Sequence, residues 1–172
     1  GFSKMRFGED IDFSIRIFKA QCACRLFPKA WVWHKRRTDF HKFWRQVYNS
    51  GIARINLYKK YPESLKLVHL LPMAFTLGVT VLGLLFLCGI PIGILCGNFT
   101  LSLLALLPIL LYMLVICIDS TWQNKSIKVG LLSIVSAFIQ LTGYGCGFLY
   151  AWWKRCVRGQ DEFHAFDKTF YK

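Results

Sequence analysis

Acidic side chains are scarce in this chain of 172 residues, with nine Asp and Glu against 22 Lys and Arg. Charge of either sign disappears altogether over two long stretches. Residues 67–118 contain no Lys, Arg, Asp or Glu, and the run from Val129 to Trp153 is equally uncharged. An ordinary soluble domain does not distribute its charges in this way, and runs of this length can cross a bilayer. A cysteine framework is also missing. The seven cysteines are odd in number and scattered, and Cys22-Ala23-Cys24 has no second pair, which excludes a disulfide scaffold and a zinc site. Aromatic residues are not lacking, at 16% of the chain, which excludes a disordered polymer. With 55% hydrophobic residues and a mean hydropathy of +0.39, the chain is a membrane protein. It opens at Gly1 inside a polar motif, without a Met or a leader, and is expected to be part of a longer protein.

The charges that are present sit in one place. Residues 1–66 hold 15 Lys and Arg against five acids, a net of +10 out of the total +13. Nucleic acid, anionic lipid and phosphate groups all fit such a block. Beside a membrane anchor nucleic acid fits least well, and none is expected as a partner.

Local patterning divides the chain further. From Asp10 to Ala20 the apolar residues Ile11, Ile15 and Phe18 follow helical spacing. Residues 24–27 and 30–34 are expected as short extended pieces broken by Pro28. Thr38 is a candidate N-cap for a helix running to about Tyr58. Its apolar residues Phe40, Phe43, Trp44, Val47, Tyr48, Ile52, Ile55 and Tyr58 oppose Lys42, Arg45 and Arg54. That arrangement suits a helix lying along the bilayer interface, and it equally describes a helix packed on a soluble core.

Three segments, about 68–90, 99–118 and 129–153, each reach the roughly 20 residues a span requires. They are separated at Gly89-Ile90-Pro91 and around Gly97-Asn98. Orientation meets a conflict. The basic block 1–66 is expected on the cytoplasmic side, which after three spans would leave the tail 154–172 outside. Yet Lys154, Arg155 and Arg158 follow the third segment directly and favour the inside. Either the positive-inside signal of the tail is outvoted, or one of the segments is a re-entrant or interfacial piece, with residues 89–97 and the Gly143–Gly147 run as the candidate irregular stretches. Trp152-Trp153 ahead of Lys154-Arg155 has the composition of an interfacial belt. The uncharged interiors give no ion path of the kind a transporter needs.

Candidate chemistry lies in the first residues, where Gly8 precedes Glu9-Asp10 at a loop-to-helix junction. A carboxylate held by backbone at a helix start is a sensible general base, although an Asp there also serves simply as a cap. The order of motifs resembles the acceptor-side end of membrane-bound family 2 glycosyltransferases of the GT-A fold. It runs Gly1-Phe2, then Gly8-Glu9-Asp10, a helix with Arg16, Val32-Trp33-His34, the cluster Lys35-Arg36-Arg37, and Gln46-Val47-Tyr48-Asn49-Ser50-Gly51. The resemblance covers about residues 1–66, and the hydrophobic remainder is similar to that family's membrane anchor.

The resemblance implies a mainly α chain. A small α/β remnant of the catalytic domain (1–37) would lead into an amphipathic helix and linker (38–66). About three transmembrane helices (67–153) and a basic tail (154–172) would follow. It implies an inverting transfer from a nucleotide-sugar to a membrane-proximal, lipid-linked or saccharide acceptor, of the kind used to build cell-envelope polysaccharides. Asp10 would be the general base and Glu9 its orienting partner. Arg36 and Arg37 would grip the diphosphate, since guanidinium groups bind phosphate bidentately. Gln46 and Asn49 would add substrate contacts, and His34 would help hold a divalent Mg or Mn. Two departures stand out. Asn49-Ser50 replaces the Arg-Trp of processive members, which favours addition of a single sugar. No Asp-x-Asp precedes Glu9-Asp10, so the nucleotide and most of the metal shell would be bound outside these residues, and the chain alone would be inactive. The competing expectation is a non-catalytic membrane module whose basic helix binds anionic lipid or a partner.

Overall fold

The computed structural model describes residues 1–3, 5, 7–34 and 39–170, the last four by their backbone alone. All regular structure among these residues is helical. Helix α1 (Glu9–Lys19) starts after Gly8, whose φ of 84° is a left-handed conformation that glycine adopts at little cost. Its first turn carries Glu9, Asp10 and Asp12, where the helix dipole favours negative charge.

Residues 22–34 form no strand, contrary to the extended pieces expected at 24–27 and 30–34. An extended segment becomes a strand only when a neighbour accepts its backbone hydrogen bonds. Every residue from 22 to 34 is exposed, Leu26, Phe27, Trp31, Val32 and Trp33 among them. The small α/β remnant is thus not present as a sheet, and the described chain is mainly α.

Helix α2 (Phe40–Lys60) is capped by Asp39, whose carboxylate accepts from the amides of His41 at 2.7 Å and Lys42 at 3.1 Å. Thr38, the expected cap, lies outside the described residues. Two short 3-10 turns, Pro62–Ser64 and Leu67–Leu70, lead into three long apolar helices: α3 (Leu71–Cys96), α4 (Thr100–Asn124) and α5 (Ile127–Trp152). A π turn (Trp153–Val157) and α6 (Glu162–Phe170) close the chain.

Three helical stretches are long and apolar enough to cross a membrane: Leu67–Cys96, Thr100–Asn124 and Ile127–Val157. The break expected at Gly89-Ile90-Pro91 does not occur, because α3 continues through Pro91 and ends at Gly97 with φ 66°. Within an apolar helix the amide lost at proline is tolerated when neighbouring helices pack against it. The Gly143–Gly147 run is likewise regular helix, and its glycines serve packing.

Helices α3 and α4 form an antiparallel hairpin. Near its turn the Ser102 hydroxyl donates to the Phe86 carbonyl at 3.2 Å, and at the other end the Phe75 and Tyr112 rings lie 5.1 Å apart. Helix α5 returns along the second half of α4, with Ser120 and Ser133 hydroxyls 2.6 Å apart and Phe138 meeting both Tyr112 and Phe75. Two turns later it has not advanced along α3. Gly145 lies against Pro72 and Thr76, although it stands about 10 Å further along α5 than Phe138. Helix α5 therefore crosses α3 near its first two turns.

The second half of α5 packs on α2, the most extensive helix pair in the molecule. A methyl on Gly51 would collide with the Tyr144 carbonyl and come within 2.7 Å of the Phe148 amide nitrogen. On the facing helix, Gly147 lies against the Tyr48 backbone with equally little room. The core beside this contact consists of Ile52, Ile55, Phe148 and Ala151, joined by Ala165 and Phe166 of α6. The tail thus folds back onto α2, where the Asn56 amide donates to Glu162 at 3.3 Å. The middle of the apolar face of α2, expected either on lipid or on a protein core, is covered by protein, while Phe40 at its start stays exposed.

Candidate functional site

Asp10 and Asp12 stand two residues apart on α1, about 200° around the helix, and so face opposite ways. Asp10 is exposed, and no ion pair among the described residues engages it or Glu9. Asp12 is fully buried. One of its carboxylate oxygens accepts from Lys60 Nζ at 2.6 Å and from the Tyr61 hydroxyl at 3.0 Å, and the other accepts from Arg16 Nε at 3.0 Å. Burial alone would raise the Asp12 pKa. The Lys60 bond, the nearby Ser3 hydroxyl and Tyr61 outweigh it and bring the carboxyl down to about 2. The same contact holds the Lys60 ammonium above its usual range. Arg16 also donates to the Gly1 carbonyl at 2.6 Å, tying the first residue to α1.

A small apolar cluster of Met5, Leu57 and Tyr61, with Ile15 against it, lies beside this ion cluster. Gly8 abuts α2 directly, since a methyl there would meet Leu57 Cδ1 at 3.2 Å and Ala53 Cβ at 3.4 Å. The start of α1 is thereby fixed against the middle of α2. Asn49 is buried one turn before Ala53, about 6 Å along the helix axis, and Gln46 is exposed a turn earlier. The α2 helix thus runs Gln46 and Asn49 toward the Glu9-Asp10 end of α1.

His34 is exposed on the irregular segment after α1. Among the described residues no three His, Cys, Asp or Glu side chains come together to hold a metal, so those present do not by themselves fit a divalent ion. Arg36 and Arg37 lie outside the described residues. All seven cysteines are free.

The basic face expected on α2 divides in two. Lys42, Arg45 and Lys59 are exposed, whereas Arg54 is half-buried and Lys60 is drawn onto Asp12. Sequence reasoning missed this clamp. Opposite facing of Asp10 and Asp12 follows from helical period alone, and Arg16 stands at the i+4 position from Asp12. Nothing local signals Lys60 or Tyr61, which come from 48 and 49 residues away. No family description, curated protein or solved structure matches this chain.

Proposed function

We propose that these residues are the acceptor-side and membrane-anchoring part of an inverting, family 2-like glycosyltransferase. The observation that carries this is the contrast on α1: an exposed Asp10 beside Glu9, on a helix whose other face is locked to the anchor. A base must be reachable by substrate while its helix stays fixed.

Asp10 would take the proton from an acceptor hydroxyl as that oxygen attacks the anomeric carbon. The bond to the nucleoside diphosphate breaks on the opposite face, giving inversion. Arg36 and Arg37 would offset the negative charge growing on the leaving diphosphate. Gln46 and Asn49, led toward the base by α2, would contact the acceptor or diphosphate. The nucleotide-binding half and a divalent-metal site, with His34 as a contributor, would come from further chain. That half would also give residues 22–34 the sheet they lack here. The test is Asp10→Asn in the full-length enzyme, expected to abolish transfer while membrane insertion stays intact. Wild-type turnover in that variant contradicts the assignment.

The proposed setting is the cytoplasmic face of an inner membrane. Helices α3 and α4 would cross as a hairpin, returning the chain to the side of residues 1–66. Helix α5 would lie across that side without crossing. Support comes from its position at the first turns of α3 and from its lower mean hydropathy, 1.5 against 2.5 and 2.8 for the other two. The tail with Lys154, Arg155 and Arg158 would then be cytoplasmic, removing the conflict with the positive-inside rule.

Exposed Lys42, Arg45 and Lys59 favour a second reading, a non-catalytic module that binds anionic lipid. Liposome binding that weakens as salt rises, with Asp10→Asn neutral, would select it.

A further inference from the structure

The backbones of α1 and α2 stay apart over most of their lengths. What joins them is the abutment of Gly8 on Ala53 and Leu57, the small cluster of Met5, Leu57, Tyr61 and Ile15, and the ion cluster on Asp12. Among the described residues of this junction the carboxylate is the one fully buried charge, and it collects donors from both sides: Arg16 on its own helix, Lys60 and Tyr61 at the end of α2. Lys60 and Tyr61 end the same α2 whose middle, at Tyr48 and Gly51, is locked onto α5 without room for a methyl group. A rigid path therefore runs from the membrane helices through α2 to Asp12, and across α1 to the exposed Asp10.

We propose that Asp12 is a positioning residue, whose buried clamp to Lys60, Tyr61 and Arg16 sets where the Asp10 carboxylate stands relative to a membrane-held acceptor. This rests on the assignment of Asp10 as the base. Asp12 itself takes no proton from substrate, because it is sealed from solvent on the opposite face of the helix. Its effect is confined to the transfer step. Donor binding requires neither the base nor the acceptor to be aligned.

The test uses the full-length enzyme in lipid nanodiscs. The donor is whichever radiolabelled probe among UDP-glucose, UDP-galactose and GDP-mannose the wild type turns over, and the acceptor is a total membrane-lipid extract. Asp12→Ala is expected to lower transfer about 100-fold, the cost of misplacing a catalytic group by about 1 Å. Donor KM stays within about twofold of wild type, because donor binding does not use the base. Asp12→Asn, which keeps an acceptor for Lys60 and Tyr61, restores at least about a tenth of the transfer rate. Spin labels at Ser14 and Arg45, both exposed, report the α1–α2 distance directly: narrow in wild type, broadened in Asp12→Ala. An unchanged distance with unchanged transfer overturns the proposal. So does equal loss of transfer, donor binding and folded signal, which marks a merely structural group. Failure of the underlying reading looks different: Asp10→Asn then retains full transfer, whatever the spin labels show.

Discussion

The α3–α4 hairpin and the α2–α5 junction are both helix pairs that approach through glycine, yet they bury very different amounts of side chain. The hairpin leaves Leu84, Leu95, Leu103, Leu104 and Val115 more than half exposed and joins its helices by the Phe75–Tyr112 contact, the Ser102 hydroxyl bond to Phe86 and the approach of Gly89 to Ser102. Its surface calls for lipid, and hydropathy alone announces it. The α2–α5 junction buries Ile52, Ile55, Phe148 and Ala151 almost completely, and its helices approach through glycine. There shape decides, and the helix involved is amphipathic rather than uniformly apolar. The contrast teaches that α5 packs closely on an amphipathic helix although its composition matches that of the apolar hairpin.

Substitutions sharpen this contrast. The largest effect is expected at the junction. Gly147→Leu would drive a side chain into the Tyr48 backbone, and backbone cannot yield as a side chain can. A loss of about 3 kcal/mol or more follows, typical of severe overpacking. Gly83→Leu in α3 has no atom within 4 Å to meet, and thermal unfolding in detergent should leave it within about 0.5 kcal/mol of wild type. Equal effects at the two sites would erase the distinction.

A smaller effect is expected from acid, and it acts at the α1–α2 clamp. The Asp12 pKa is lowered in the folded state to about 2, so its stabilisation is complete above the ordinary carboxylate range and is lost as pH falls through 2. The amount is about 1–2 kcal/mol, reduced by the partial exposure of Lys60 and Arg16. Denaturant midpoints between pH 6 and pH 2 should show this loss in wild type and lack that component in Asp12→Asn. The smallest effect belongs to the hairpin, where Ser102→Ala removes one hydroxyl bond to Phe86 and should cost under about 1 kcal/mol.

Much of the anchor was legible in the sequence. Charge-free runs locate α3, α4 and α5, but α3 and α4 each extend six residues beyond the expected ends at 90 and 118, α3 by continuing through Pro91. The start of α1 follows from Gly8 and the acids after it, and α2 from its apolar spacing. Three features were not legible. Residues 24–34 have strand composition, but strands need partners that composition does not supply. The fold-back of α6 depends on Phe166 reaching the Ile52–Phe148 core, a contact across more than 100 residues. The role of Asp12 depends on Lys60 and Tyr61, which only the three-dimensional arrangement brings to it. At the candidate site, Glu9 and Asp10 are singled out by motif order alone. The division between exposed Asp10 and buried Asp12 emerged only from the folded chain.

Native cysteines offer the most direct test of the central claim, that residues 1–66 and the tail meet on one side of the membrane around a two-span hairpin. Cys24, Cys96 and Cys156 are all exposed, and they stand before α3, at the α3–α4 turn and after α5. Three variants, each keeping one of these cysteines, would be treated with a membrane-impermeant maleimide in sealed vesicles of known orientation. Cys24 and Cys156 should react from the same side and Cys96 from the other. Labelling of Cys156 from the side opposite Cys24 would mean that α5 crosses the membrane, and would contradict the arrangement of α2, α5 and α6 described here.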